Sequence, residues 1–183
     1  MSIRTDLALE SINAAKISEG ITKTERGKAF KITEINIAED KHGEKIGKKK
    51  GKYITLEGSV FSCFSKDFRE MCEEFSEELS QFVPDGKVLV VGLGNNDITP
   101  DALGPQTASK ILATRHLKEE LKDEDEFLTS LRPVGVLASG VLGQTGIETT
   151  ELIDGLMEKI DPQAIIAVDA LACSDINRLG KTI

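Results

Sequence analysis

The chain has 183 residues, enough to bury a real hydrophobic core, and that length favours one α/β unit, alone or with a small appendage. A formal net charge of −8 makes nonspecific adhesion to nucleic acid or to an anionic membrane a poor match and a basic protein partner a better one. With no Trp, one Tyr and seven Phe, the core must be mainly aliphatic, which argues against an aromatic platform for stacking bases.

The opening residues Met1-Ser2-Ile3-Arg4-Thr5-Asp6 lack the apolar core of a secretory signal. No stretch approaches the ~18 apolar residues that span a bilayer, so the sequence reads as cytoplasmic, with no membrane partner. Cys63, Cys72 and Cys173 are odd in number and have no C-x-x-C spacing, the pattern of reduced thiols and not of a disulfide framework or a zinc knuckle.

Two alternating runs, Lys31 to Ile37 and Tyr53 to Glu57, have the period of half-buried strands and predict an amino-terminal β-hairpin. Between them lies a charged connection, Glu39 to Glu44 and then Gly47-Lys48-Lys49-Lys50-Gly51, with glycine at its turns. A phosphate contact by these lysines and a solvated loop are both open, the loop being the plainer reading. From Phe64 to Leu79 apolar residues recur at three- and four-residue steps, predicting an amphipathic helix. Pro84-Asp85-Gly86 breaks the chain before Lys87 to Gly94, an apolar run expected to be a strand buried on both faces.

Pro105 can open a helix, and Ile111, Leu112 and Leu117 extend an apolar stripe toward the acids near Glu119. A second strand is expected over Pro133 to Ala138. A helix bearing Leu152, Ile153, Leu156, Met157 and Ile160 follows and closes at Asp161-Pro162. Ala164 to Val168 reads as a third buried strand. Strand, helix, strand, helix, strand is the order of a parallel sheet with right-handed crossovers and flanking helices, so the fold class is α/β.

In such a sheet the loops leaving the carboxyl ends of the strands gather on one edge, where ligands bind. Asp101 lies in the loop after the first buried strand, Gly140 to Gly146 follows the second, and Asp169 follows the third directly. Two carboxylates meeting there can perform hydrolysis, one taking a proton from water while the other, if protonated, polarises the carbonyl or protonates the leaving group. A close carboxylate pair titrates as a unit and holds one proton near neutrality. Spacing alone leaves helix capping and metal binding open for the same two residues.

The glycine-rich loop offers Gly140, Gly143, Gln144, Thr145 and Gly146 as candidates for holding an oxyanion or an extended peptide, beside the reading of a plain tight connection. Gly92-Leu93-Gly94 begins a dinucleotide fingerprint, but Asp97 stands where its third glycine belongs. His42 and His116 are the only imidazoles; one falls in the hairpin connection and the other inside a predicted helix, so a Ser-His or Cys-His pair lacks a base at the strand edge. Zinc normally takes more nitrogen or sulfur ligands than this edge supplies, and no metal or other cofactor is assigned.

GLGNNDITPDALGP at 92–105, SGVLGQTGIET at 139–149, AVDALA at 167–172, GKKKGKYITLE at 47–57 and IRTDLALE near the start, taken together and in this order, resemble the spore germination proteases of endospore-forming bacteria. The resemblance implies an atypical aspartic-type endopeptidase that degrades small acid-soluble spore proteins in the spore core, with an α/β fold like that of hydrogenase maturation endopeptidases. Its two essential aspartates fall on Asp101 and Asp169. It also implies a zymogen that removes its own leader, here Met1 to Asp6 with the cut between Asp6 and Leu7, leaving residues 7–183 as one peptidase domain, and a homotetramer. Such substrates coat DNA, and a protease with an acidic surface suits them electrostatically, with no direct nucleic-acid contact implied.

Ser139 stands where relatives commonly have proline, and an arginine expected near Ser174 is replaced. Relatives continue for roughly as many residues again beyond the third strand, so the chain is expected to be an amino-terminal fragment whose sheet is incomplete at its carboxyl end. Two readings compete with the aspartate-pair protease: a metal-dependent peptidase related to the hydrogenase-processing enzymes, and an inactive remnant or small-molecule binding module built on Gly92 to Gly94 and the Gly140 loop.

Overall fold

A computed structural model describes residues 5–15, 20–61, 64–117 and 126–183. Met1 to Arg4 of the expected leader, Cys63 and the acids near Glu119 lie outside the described residues. The chain divides into two compact units, one made of Met1–Ser80 with Leu171–Ile183 and the other of Gln81–Ala170.

The first unit is built around a three-stranded antiparallel sheet, β1 (Ile21–Arg26), β2 (Lys31–Ile37) and β3 (Gly51–Glu57), in the order β1-β2-β3. The expected hairpin is β2 with β3, in a register that sets Lys31 opposite Glu57 and Ile37 opposite Gly51. Strand β2 is central and uses both its faces. Ile35 and Ile37 pack on Ala8 and Leu9 of helix α1 (Ala8–Ala15), whereas Ile32 joins Phe30, Leu56 and Met71 of helix α3 (Phe68–Ser80). Burying each of these isoleucines contributes about 2 kcal/mol.

The hairpin connection is ordered as a short helix α2 (Asp40–Gly43) and a 3₁₀ turn (Glu44–Ile46), and Asp40 accepts from the Lys50 N–H at 2.7 Å. The predicted helix over Phe64 to Leu79 begins four residues later, at Phe68, because the chain before it is held elsewhere: Asp67 accepts from the Ser59 hydroxyl at 2.8 Å, and Phe64 is 94% exposed. Residues 171–183 return to this unit and pair along β3, with Leu56 and Ile183 exchanging backbone hydrogen bonds at 2.8 and 3.0 Å and Gly58 N–H donating to the Lys181 carbonyl. Arg178 joins that segment to Glu10 and Glu57 as ion pairs.

The second unit holds the parallel sheet, β4 (Val88–Leu93), β5 (Val134–Gly140) and β6 (Ala164–Val168), in the order β5-β4-β6. Central strand β4 is buried at five of its six positions, as its unbroken apolar run requires. Leu89 and Val91 pack on Ile160 of helix α7 (Thr149–Ile160). Helix α4 (Leu103–Ala108) touches β4, β5 and β6. Helix α7 starts on a capping box, in which Glu148 N–H donates to the Glu151 carboxylate at 3.0 Å, and ends at Asp161 in the left-handed conformation before Pro162.

Two expectations are corrected here. The helix from Pro105 toward Leu117 ends at Ala108, and His116 is exposed in a turn. The N–H groups of Thr114 and Arg115 donate to the Val134 carbonyl, and the Thr114 hydroxyl binds the Arg132 carbonyl, which pins this stretch to the start of β5 and away from a helical course. Strand β6 is not doubly buried: among the described residues it pairs only with β4, and it alternates half-buried with exposed residues. A short helix α5 (Glu126–Ser130) precedes β5. No described helix is long and apolar enough to cross a membrane.

Candidate active site

In the order β5-β4-β6 the chain leaves β4 toward one neighbour and later crosses to the other, so the carboxyl ends of β4 and β6 flank the point where successive connections diverge. Open α/β sheets bind ligands at that place. Asp101 follows β4 and Asp169 follows β6.

Asp101 ends a 3₁₀ turn, Thr99–Asp101, that folds the loop back onto the strand end. Its Oδ2 accepts from the Asn95 N–H at 2.7 Å, and its own N–H donates to the Ile98 carbonyl at 2.8 Å. Gly94, at φ 112°, lets the turn come this close: a Cβ there would lie 3.0 Å from Asp101 Oδ1 and deeper still inside the Asp101 carbonyl. Next along, a Cβ on Gly104 would overlap the Leu93 and Val168 carbonyl oxygens, so the first turn of α4 is seated directly on the ends of both strands.

Asp169 is exposed, and its Oδ1 accepts from the Ala170 N–H at 2.8 Å. The register pairs Gly92 with Val168, so Asp169 continues beside Leu93, one residue from the glycine that supports Asp101. Neither aspartate caps a regular helix: the N-cap positions after these strands are Ala102 for α4 and Asp175 for the 3₁₀ turn Ile176–Arg178.

The loop after β5 closes into a helical turn, α6 (Leu142–Thr145), bounded by Gly140 and Gly146, both at φ 69°. Gln144 Nε2 donates to Asn95 Oδ1 at 2.9 Å and to Asp97 Oδ2 at 3.3 Å, and Asn95 Oδ1 also accepts from Asp97 N–H. This side chain therefore ties the loop after β5 to the loop that holds Asp101. The N–H groups of Gln144 and Thr145 bond the Val141 carbonyl and that of Gly146 bonds Leu142, so presenting them to a substrate oxygen requires the turn to open. No described atom near Gly143 would touch an added Cβ, leaving that position clear. At Ser139 the β4–β5 register slips by one residue, and the buried hydroxyl accepts from Thr149 at 3.1 Å while donating to the Gly140 carbonyl, fastening the loop to the start of α7.

A family model described as germination protease matches residues 3–183. The chain belongs to the germination protease family. It is 41% identical over 196 residues to the germination protease of Clostridium acetobutylicum, 40% over 200 residues to that of Priestia megaterium, and 41% over 190 residues to that of Caldanaerobacter subterraneus subsp. tengcongensis. Each match takes in 100% of this chain but 59%, 53% and 58% of the relative, so the chain spans little more than half the length of the curated relatives it matches.

The segment expected to hold the self-cleavage bond of this germination protease family member belongs to the first unit. Asp6 donates its N–H to the Ala172 carbonyl at 2.8 Å and accepts from the Ala172 N–H through Oδ2 at 2.9 Å, while Leu7 is buried. Lys48 Nζ donates to the Asp6 carbonyl at 2.8 Å and lies 3.4 Å from that of Thr5. Glu10, beneath this segment, accepts from the Thr5 and Ser174 hydroxyls, each at 2.6 Å, and pairs with Arg178. Burial works to raise its pKa, but the hydrogen bonds from Ser174 and Thr5 and the Arg178 charge together hold it below the usual glutamate value.

No role for Asn95 or Gly104 was legible in the sequence, and for Lys48 only the phosphate contact left open for its lysine run. The doubled Asn95-Asn96 directly after a buried strand was the available signal for the first, since a buried amide must be satisfied by its neighbours. Gly104 sits beside Pro105 at a helix start, where glycine is a poor helix former and signals close approach. Lys48 carries no such mark among three consecutive lysines. Among the described residues no group of three or more His, Cys, Asp or Glu side chains is arranged to hold a metal ion.

Proposed function

We propose that this chain carries the catalytic machinery of an endopeptidase that begins the breakdown of small acid-soluble spore proteins during germination, with Asp101 and Asp169 activating water between them. The observation that carries this reading is the seating of α4 at Gly104 on the carboxyl ends of β4 and β6, since it brings the turn bearing Asp101 to the strand end that launches Asp169. One carboxylate takes the proton of the attacking water, and the other, protonated, donates to the substrate carbonyl oxygen. As the tetrahedral intermediate collapses, the proton first taken from water passes to the leaving amine nitrogen. Gln144, through Asn95, keeps the Asp101 turn in register with the loop after β5.

The remaining elements of the proposal follow from family membership. The enzyme is made as a zymogen that cuts itself between Asp6 and Leu7, residues 7–183 form part of a peptidase domain related to the hydrogenase maturation endopeptidases, and the working form is a homotetramer in the spore core. The net charge of −8 suits substrates that coat DNA.

The test replaces Asp101 and Asp169 singly by Asn in the full-length protein and follows hydrolysis of a spore-protein substrate. Each variant should lose at least about 10³-fold in rate while keeping its fold, the scale of removing one member of an acid-base pair that acts as a unit. A variant of either residue that cleaves at the normal rate removes that residue from the mechanism.

A further inference from the structure

The peptide group joining Asp6 to Leu7 is gripped at both of its polar ends. Its carbonyl oxygen accepts from Lys48 Nζ at 2.8 Å, and its N–H donates to Thr5 Oγ1 at 3.1 Å. The Thr5 hydroxyl is itself oriented by Glu10, to which it donates. On either side the chain is fixed, upstream by the reciprocal bonds between Asp6 and Ala172 and downstream by burial of Leu7. Asp6 remains exposed, so water reaches the bond.

An ammonium 2.8 Å from a carbonyl oxygen gains little from the neutral carbonyl in a partly solvated place and much more from the oxyanion that forms when water adds. That difference between ground state and transition state is what accelerates a reaction. Lys48 is well placed for it because its backbone is anchored: Lys48 N–H donates to the Gly43 carbonyl at 3.0 Å, closing the turn after α2. Docking of the segment has other sources, namely the Asp6–Ala172 pair and the Thr5–Glu10 bond.

We infer that Lys48 polarises the Asp6 carbonyl during self-cleavage of the Asp6–Leu7 bond, with Thr5 holding the amide nitrogen; this rests on the proposed assignment of that bond as the self-cleavage site. Water adds to the Asp6 carbonyl carbon and the π pair moves onto the oxygen beside Lys48. The oxyanion then collapses, the bond to the Leu7 nitrogen breaks, and a proton from the water passes to that nitrogen. The products are a new carboxylate on Asp6 and a new amino terminus on Leu7. The step consumes one water and needs no cofactor.

The experiment compares wild-type full-length protein with K48M, K48Q and K48R, measuring leader removal by intact mass and the amide exchange of Asp6 and Ala172 in the uncut chains. Leader loss should slow about 10²-fold in K48M and K48Q, the scale of removing one oxyanion donor. K48R should keep most of the rate, and exchange at Asp6 and Ala172 should stay at the wild-type level. Either neutral variant suffices for the comparison if the other fails to fold. A wild-type cutting rate in the neutral variants overturns the role of Lys48 alone. So does a slowdown matched by loss of Asp6 protection, which makes Lys48 an anchor. A wild-type protein cut elsewhere, or never cut, overturns the assignment of the bond and the inference with it.

Discussion

Replacing Gly104 by Ala sets two magnitudes against each other. In a helix Ala is favoured over Gly by about 1 kcal/mol, so local preference alone predicts a more stable protein. The added methyl, however, points at the Leu93 and Val168 carbonyl oxygens and the Leu93 nitrogen, all of them backbone, so no rotamer change relieves the overlap. Helix α4 must lift by roughly 1 Å, and overpacking of this kind costs about 1–3 kcal/mol, toward the upper end when two strands form the obstacle. A net loss of about 2 kcal/mol lowers the melting temperature of a unit of this size by about 10 °C. Because the turn bearing Asp101 leads directly into α4, the same displacement should reduce substrate cleavage about 10²-fold, the cost of a misplacement of about 1 Å in a catalytic group. Thermal unfolding by circular dichroism and a cleavage assay at a temperature where both proteins are folded measure the two effects. A G104A protein that melts at or above the wild-type temperature refutes the seating of α4 on the strand ends.

Q144A should lower cleavage about tenfold with a stability loss near 1 kcal/mol, because its bonds to Asn95 and Asp97 position the Asp101 turn more than they support the fold; kcat/KM beside the melting temperature checks it. Glu10 has a lowered pKa when folded, so its stabilising contribution is complete above the unfolded glutamate pKa and disappears as pH falls through the folded value. The difference in melting temperature between wild type and E10Q should therefore be largest near neutrality and shrink on acidification below the unfolded glutamate pKa. Arg26, itself partly exposed, pairs with Glu78, and R26M should cost about 1 kcal/mol, with R26M/E78L recovering most of the loss in denaturant titration.

The parallel sheet was legible because its strands carry unbroken apolar runs between breakers. Pro84-Asp85-Gly86 precedes β4 and Asp161-Pro162 precedes β6, and a chain that alternates such runs with helical periods has few ways to fold. Strand β1 was not legible: Ile-Thr-Lys-Thr-Glu-Arg has one apolar residue, and five of its six positions are exposed, so its pairing with β2 supplies what its pattern lacks. The helix beyond Ala108 was misread because Ile111, Leu112 and Leu117 keep helical spacing, while the contacts of Thr114 with Arg132 and Val134 are long-range and leave no local trace. At the site, the positions of Asp101 and Asp169 at strand ends could be read from element order. The tethering of Asn95 to Gln144, across 49 residues, and of Lys48 to Asp6, across 42, could not, since each joins residues distant in sequence through side chains that are common on any surface.

The central claim is that two carboxylates act together on one water. A cycle of D101N, D169N and the double variant in the full-length enzyme, read as kcat/KM on a spore-protein substrate, measures this directly. Members of one catalytic unit are strongly non-additive, so the account predicts that the double variant is no slower than the slower single one. Losses that multiply, with each substitution costing the same whether or not the other is present, would mean that the two aspartates work apart.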